Sequence, residues 1–218
     1  MDDAHQLGQR TWPEVARPIV LIPLGSCEQH GPHLPLDTDT QIAVAIAHGA
    51  ALQIEHALVA PPVAYGSSGE HDGFAGTLSI GTAVTEALVV ELVRSAPWAD
   101  RVVVVNGHGG NLEPVRSAIE LLRREGHRVD DWWPTGEPGD LHAGRVETSV
   151  MLHLNPSAVG DLPAGVVAPS IAALVTDGVA AHSTSGVLGD PTGASADEGN
   201  RILGRWIDDL VAMIVGHN

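Results

Sequence analysis

Four consecutive valines in Asp100-Arg-Val-Val-Val-Val-Asn106 set the strictest limit on the fold. Successive side chains of a strand point to opposite faces, so this run needs apolar cover on both sides, as in a parallel sheet with helices above and below. Residues 18–24, Pro-Ile-Val-Leu-Ile-Pro-Leu, read the same way and stop at Gly25. Residues 57–63 predict a short strand halted by prolines, and residues 127–133 predict another. Helices are expected over residues 40–54, 82–96, 112–125 and 141–154, with a terminal helix opened by the capping box Ser195-Ala-Asp-Glu198. Their apolar stripes are Ile42, Ile46 and Ala50; Val84, Leu88 and Leu92; Val115, Ile119 and Leu122; Val150, Met151 and Leu154; and Ile202, Trp206, Leu210 and Ile214. Alternating strands and helices predict an α/β fold with a mainly parallel sheet and helices on both sides. At 218 residues the chain suits one domain, residues 1–218, better than two. Residues 1–16 are polar, with Trp12-Pro13 the expected anchor, and residues 155–194 read as mostly loop around an apolar run at 171–175.

Chemistry-bearing side chains begin where the strands end. The first strand runs into Glu28, His30, His33, Asp37 and Asp39. If the chain stays extended, Glu28 and His30 face the same way with Cα atoms roughly 6.6 Å apart. That spacing suits two ions about 3.5 to 4 Å apart, with a further carboxylate between them. Asp39 is the natural bridge, and as an expected N-cap it would open the first helix. The valine strand runs into Gly107-His-Gly-Gly-Asn111, whose glycines let His108 reach out, with Asn111 as the expected N-cap of the next helix. A glycine-rich turn there also suits phosphate, but the spacing is not Gly-x-Gly-x-x-Gly. In Asp140-Leu-His-Ala-Gly-Arg-Val-Glu147, Glu147 can complete a metal shell, and His142 lies at or just before the helix start. In open α/β sheets, working residues gather at the carboxyl ends of strands, where Glu28, His30 and His108 fall.

Composition removes several alternatives. All 11 basic residues are arginine, which excludes Schiff-base, pyridoxal-phosphate and P-loop lysine chemistry. A net charge of −16 argues against nucleic-acid and anionic-membrane partners. The single cysteine, Cys27, forms no internal disulfide, and reads as a small buried thiol or as a nucleophile with His30 as base. Without a leader-like n-region and h-region or an apolar run near 18 residues, a soluble, cytoplasmic protein is expected. The loop from Tyr65 to Ile80, with Glu70-His71-Asp72, is either a pocket wall or a solvated turn.

Leu24-Gly-Ser-Cys-Glu-Gln-His-Gly-Pro-His-Leu-Pro35, Thr38-Asp39, Asn106-Gly-His-Gly-Gly-Asn111, the Glu70-His71 to Gly76-Thr77 loop and His142-Ala-Gly-x-x-Glu-Thr-Ser149 together resemble the creatininase (creatinine amidohydrolase) family. The resemblance implies a three-layer α/β/α sandwich with a binuclear metal centre that cleaves amide or related C–N bonds. It implies Glu28 and His108 on one metal, His30 on the other and Asp39 between them. The glutamate that creatininase carries two residues after the motif histidine falls at Gly110, so Glu147 is implied as the replacement ligand, and creatinine is disfavoured as substrate. Two divalent ions are implied, zinc or iron(II), with manganese also suited to such a shell. Within the family, Gly186-Val-Leu-Gly-Asp-Pro-Thr-Gly-Ala194 and the short, lysine-free chain are most similar to the branch that matures the mycofactocin precursor. That implies a modified peptide substrate losing a C-terminal Val-Tyr dipeptide by attack of a metal-bridging hydroxide on the amide.

On this reading His142 moves a proton to the leaving nitrogen. His71, Trp132 and Trp133 are candidate substrate-binding residues, the tryptophans alternatively being core or interface residues. A homo-oligomer, specifically a hexamer, is implied by resemblance alone. The competing readings are a small-molecule amidohydrolase acting on a cyclic amide or formamide, and a non-enzymatic metal-binding or scaffold protein.

Overall fold

The computed structural model describes residues 3–216. Strands β1 (Ile19–Leu24), β2 (Ala57–Val59), β3 (Arg101–Asn106) and β4 (Val129–Trp132) form a wholly parallel sheet in the order β2-β1-β3-β4. Around it pack helices α1 (Thr38–Ala51), α2 (Thr82–Arg94), α3 (Leu112–Arg124), α4 (Arg145–Leu154), α5 (Ile171–Asp177) and α6 (Ala196–Gly216). Among the described residues, no helix is long and apolar enough to cross a membrane.

The two-residue period of the strands builds two cores. Leu21, Val103 and Val105 face one side, onto Ile42 and Ile46 of α1, Val150 and Met151 of α4, and Ile202, Trp206, Leu210 and Ile214 of α6. Val20, Ile22, Leu24, Val102 and Val104 face the other, onto Val89, Val90 and Val93 of α2 and Val115, Ile119 and Leu122 of α3. The result is a three-layer α/β/α sandwich. Each fully buried aliphatic side chain contributes about 1.5 to 3 kcal/mol, so the valine run is held from both sides.

Several local expectations are corrected. Helix α2 buries Thr85, Val89, Val90 and Val93, leaving Val84 and Leu92 exposed. Ala87-Leu-Val-Val90 offers two overlapping apolar stripes, and packing against α3 selects the second. Trp12 is 86% exposed. The N-terminal segment is instead tied down by Leu7 against the α2/α3 core, by the His5 Nδ1 contact with the Ala57 carbonyl and by a bridge from Gln6 to Val59. Helix α4 starts at Arg145 rather than 141, because Ala143 takes a left-handed φ of 51° and the Asp140 carboxylate accepts from the Val146 N–H. The apolar run at 171–175 forms α5, capped by Ser170.

This topology positions the site. The chain leaves β1 towards β2 on one side and β3 towards β4 on the other, so a crevice opens beyond the carboxyl ends of β1 and β3. Leu24 and Asn106 are register partners, which puts Gly25 and Gly107 side by side at the strand tips. A Cβ on Gly25 would come within 2.3 Å of Thr40, and one on Gly107 within 2.5 Å of the Asp39 carbonyl. Only glycine at both tips lets the first turn of α1 pack directly on the sheet, carrying Asp39 into the crevice.

Candidate metal centre

Asp39 is the second residue of α1, inside the helix rather than capping it; Asp37 precedes the helix and makes no side-chain cap bond. Its two oxygens diverge. Oδ1 lies 3.0 Å from His30 Nε2, while Oδ2 lies 3.1 Å from His108 Nδ1 and accepts a 2.7 Å hydrogen bond from Ser26 Oγ. Glu28 is fully buried, with Oε2 3.1 Å from His108 Nε2 and Oε1 3.3 Å from His71 Nε2 and 3.8 Å from His142 Nδ1. Glu147 enters from the first turn of α4, where its Oε2 accepts from the Ala143 N–H at 2.6 Å. Two ligand sets result: Glu28, Asp39 and His108; and His30, Asp39 and Glu147. In each, the donor atoms lie within 4.8 Å of one another, and Asp39 belongs to both. Glu28, His30 and His142 form a third set of the same kind.

The residues fit a cation. Both Glu28 carboxylate oxygens are buried without a hydrogen-bond partner, a costly state for a charged group unless a positive charge sits beside it. The histidines are braced as metal ligands usually are, one nitrogen on a main-chain carbonyl and the other facing the centre. His30 Nδ1 is 3.2 Å from the Glu28 carbonyl, His108 Nε2 is 2.9 Å from that of Ser67, and His142 Nε2 is 2.8 Å from that of Gln29.

Charge is strongly coupled here. Burial opposes protonation of His30, yet the Asp39 carboxylate overrides it and raises the pKa to about 10. His108 is likewise raised against burial by Glu28 and Asp39. Burial would raise Asp39, but His30 and His108 hold it well below the carboxylate range. Burial lifts Glu147 to about 7, with His30 opposing. His71 and His142 are pushed down by burial, His71 to about 4, which keeps both neutral.

Gly110 has no room for a side chain. A Cβ there would lie 2.1 Å from the Ser67 carbonyl and 2.5 Å from both Glu70 Oε1 and His108 Nε2. A carboxylate for the His30 side therefore has to come from elsewhere, and Glu147 is the one that reaches it. Asn111 occupies the N-cap position of α3 as expected but makes no side-chain cap bond. Its amide donates to the Gly25 and Asn106 carbonyl oxygens and accepts from the Ser67 N–H, locking the His108 loop to the loop that carries His71.

Other expectations fall away. Trp132 packs in the core below α6, with Nε1 donating to Asp209, so it does not wall the site; Trp133 is 40% exposed and open to a substrate or partner. His33 is buried against Thr148 Oγ1 and Asp37 is exposed, so neither joins the ligand sets. Cys27 is half-buried, with its thiol turned to the Gly76 carbonyl. Gln29 and Ser26 are additions to the expected site, and Glu70 and His71 place their loop in the wall of the centre. In a straight strand Gln29 would point away from Glu28 and His30, but β1 ends at Leu24, and in the irregular segment that follows the Gln29 amide reaches His71 and His142. Glu70 Oε1 stands 3.5 Å from His108 Nε2.

A parallel α/β/α sandwich with paired carboxylate–imidazole sets at its switch point defines a metal-dependent hydrolase. The chain belongs to the creatininase family, whose model, "Creatininase: Creatinine amidohydrolase", matches residues 8–214. It is a metal-dependent hydrolase of C–N bonds. The chain is 52% identical to the mycofactocin precursor peptide peptidase of Mycobacterium ulcerans over 219 aligned positions, covering 94% of this chain and 85% of the relative. It is 30% identical to the creatinine amidohydrolase of Pseudomonas putida over 70% of this chain and 73% of that one. A crystal structure of creatinine amidohydrolase superposes with a TM-score of 0.80 at 26% identity, covering 98% of this chain and 97% of that one.

Proposed function

We propose that this protein, a single domain over residues 1–218, is a peptidase that cleaves the modified mycofactocin precursor and releases its C-terminal Val-Tyr dipeptide. The observation that carries the substrate is the 52% identity to a mycofactocin precursor peptide peptidase along 94% of the chain. The shared Asp39 carries the chemistry. Glu28, Asp39 and His108 would hold one divalent ion, and His30, Asp39 and Glu147 a second, with zinc, iron(II) or manganese suited to these donors. Such a pair supplies a hydrolytic water of lowered pKa and polarises the amide carbonyl.

The protein's own groups handle position and protons. Ser26 and His30 hold Asp39 in its two-sided orientation. His142, neutral and with Nδ1 towards Glu28, is placed to take the proton released by the hydrolytic water and pass it to the departing amine. His71 steadies the Glu28 carboxylate. Asp140 and Val146, on the segment that carries His142 and Glu147, line a cavity of about 570 Å³ whose charges are mixed, Arg145 pairing with Glu198 and Arg205 with Glu137 beside Arg201 and Asp190.

Incubation of the metal-loaded protein with the modified precursor, followed by mass spectrometry, is expected to show the dipeptide and the shortened peptide, with creatinine untouched. Metal-stripped protein should release neither. Turnover of creatinine or of a formamide, with the peptide left intact, would favour the small-molecule reading and overturn this one.

A further inference from the structure

We infer that Gln29 is a positioning residue that sets the tautomers of two imidazoles, its side-chain amide that of His71 and its main-chain carbonyl that of His142; this rests on the hydrolytic reading of the site. Gln29 is buried, and two main-chain groups fix how its amide is turned. Its Oε1 accepts from the Gly31 N–H at 2.9 Å, and its Nε2 donates to the Gly186 carbonyl at 3.1 Å. The flipped amide would set N–H against N–H at Gly31 and oxygen against oxygen at Gly186, so only one orientation is compatible with both.

One amide hydrogen remains, with two imidazole nitrogens in reach: His71 Nδ1 at 2.9 Å and His142 Nε2 at 3.1 Å. The Gln29 main-chain carbonyl decides between them. It lies 2.8 Å from His142 Nε2 and is an acceptor only, so that nitrogen carries a hydrogen and cannot accept another. The remaining amide hydrogen therefore goes to His71 Nδ1. The two rings end in complementary states. His71 has its hydrogen on Nε2, on the side of Glu28 Oε1 3.3 Å away, where it closes no hydrogen bond and leaves that oxygen to a cation. His142 has a bare Nδ1, 3.8 Å from the same oxygen and not bonded to it, so its lone pair is free. Their ring centroids are 4.4 Å apart, so two near-identical imidazoles in one wall are made to do opposite things. His71 flanks one Glu28 oxygen and leaves Oε2 for the His108 side, while His142 keeps its lone pair for the proton of the hydrolytic water, which it then hands to the departing amine. Gly186 belongs to the same device. A Cβ there would lie 1.8 Å from Gln29 Oε1, so no other residue leaves the amide in place.

Nitrogen-15 NMR of the histidine rings reads this out in the full-length protein, with and without added zinc. The wild type is expected to show His71 and His142 both protonated at Nε2. Gln29→Met removes the donor at nearly constant volume and should turn His71 into a mixture of tautomers. It should lower kcat on the precursor peptide by about 10- to 100-fold with KM and zinc content little changed, the range typical of a group that orients a working side chain. Gly186→Ala displaces the amide from the other side and should reproduce both effects, which keeps the test open if one variant folds poorly. Wild-type His71 protonated at Nδ1, or either folded variant with unaltered tautomers or unaltered kcat, overturns the inference. A wild type that fails to cleave the peptide counts against the assigned substrate instead, and the nitrogen-15 pattern still judges Gln29.

Discussion

Glu28→Gln is expected to reduce peptide cleavage to background and to weaken metal binding by on the order of a hundredfold, while the sandwich stays folded. The substitution keeps the size of the side chain and removes only its charge. The two Glu28 oxygens are buried without hydrogen-bond partners, between His108 on one side and His71 and His142 on the other. A carboxylate so placed is there to meet positive charge, and an amide would turn an N–H towards it instead. Saturation at a thousandfold excess over Kd stabilises a folded protein by about 4 kcal/mol. A hundredfold weaker variant at the same metal concentration retains only about 1.4 kcal/mol of that gain. Thermal unfolding with and without metal therefore reads the loss without a substrate. Normal turnover in Glu28→Gln, together with a wild-type metal increment, would remove Glu28 from the centre.

The second large effect is on pH. Burial disfavours the charged form of His30, but the Asp39 carboxylate prevails and raises the pKa to about 10. The metal-free site therefore carries a proton on His30 up to that pH, and His108 is shifted the same way. Metal has to displace these protons, so apparent affinity should rise about tenfold per pH unit for each proton released. Glu147, raised to about 7 by burial, adds another proton below neutrality, so the dependence is steepest there and fades above pH 10. Stability of the metal-free form should run the opposite way. A histidine with a raised folded pKa contributes stability fully below its unfolded value near 6.5, and that contribution is lost as pH climbs towards 10. Chelator competition from pH 6 to 9, with calorimetry in buffers of different ionisation heat, measures both slope and proton count. A flat profile with no proton release would contradict the ionisation of His30.

Much of this fold is written in short-range pattern. The Val102 to Val105 run and the stripes on α1, α3 and α6 became the two cores because burial on a strand or helix face follows the local period. Where two stripes overlapped, as in α2, only the neighbouring helix decided. The start of α4 was hidden for a related reason, since it depends on Asp140 reaching over to Val146 and on the left-handed turn at Ala143.

The metal-type side chains were visible as residues ending strands, and Asp39 as the one most suited to stand between them. What the chain does not spell out is convergence. Glu28, Asp39, His108 and Glu147 meet only because the strand tips align and both tips are glycine. Gln29 is not legible because strand parity turns it outward, and the chain beyond Leu24 is no longer a strand. The paired tryptophans show the converse. Trp132 carries the look of a pocket wall, yet its strand position points it into the core.

The most direct measurement is anomalous diffraction from crystals of the metal-loaded protein, collected at the metal edge and paired with metal analysis in solution. Two ions per chain are expected, one on each side of the Asp39 carboxylate, contacted by Glu28 and His108 on one side and by His30 and Glu147 on the other. A single ion that leaves one of these sets empty, or ions bound away from Asp39, would contradict the account.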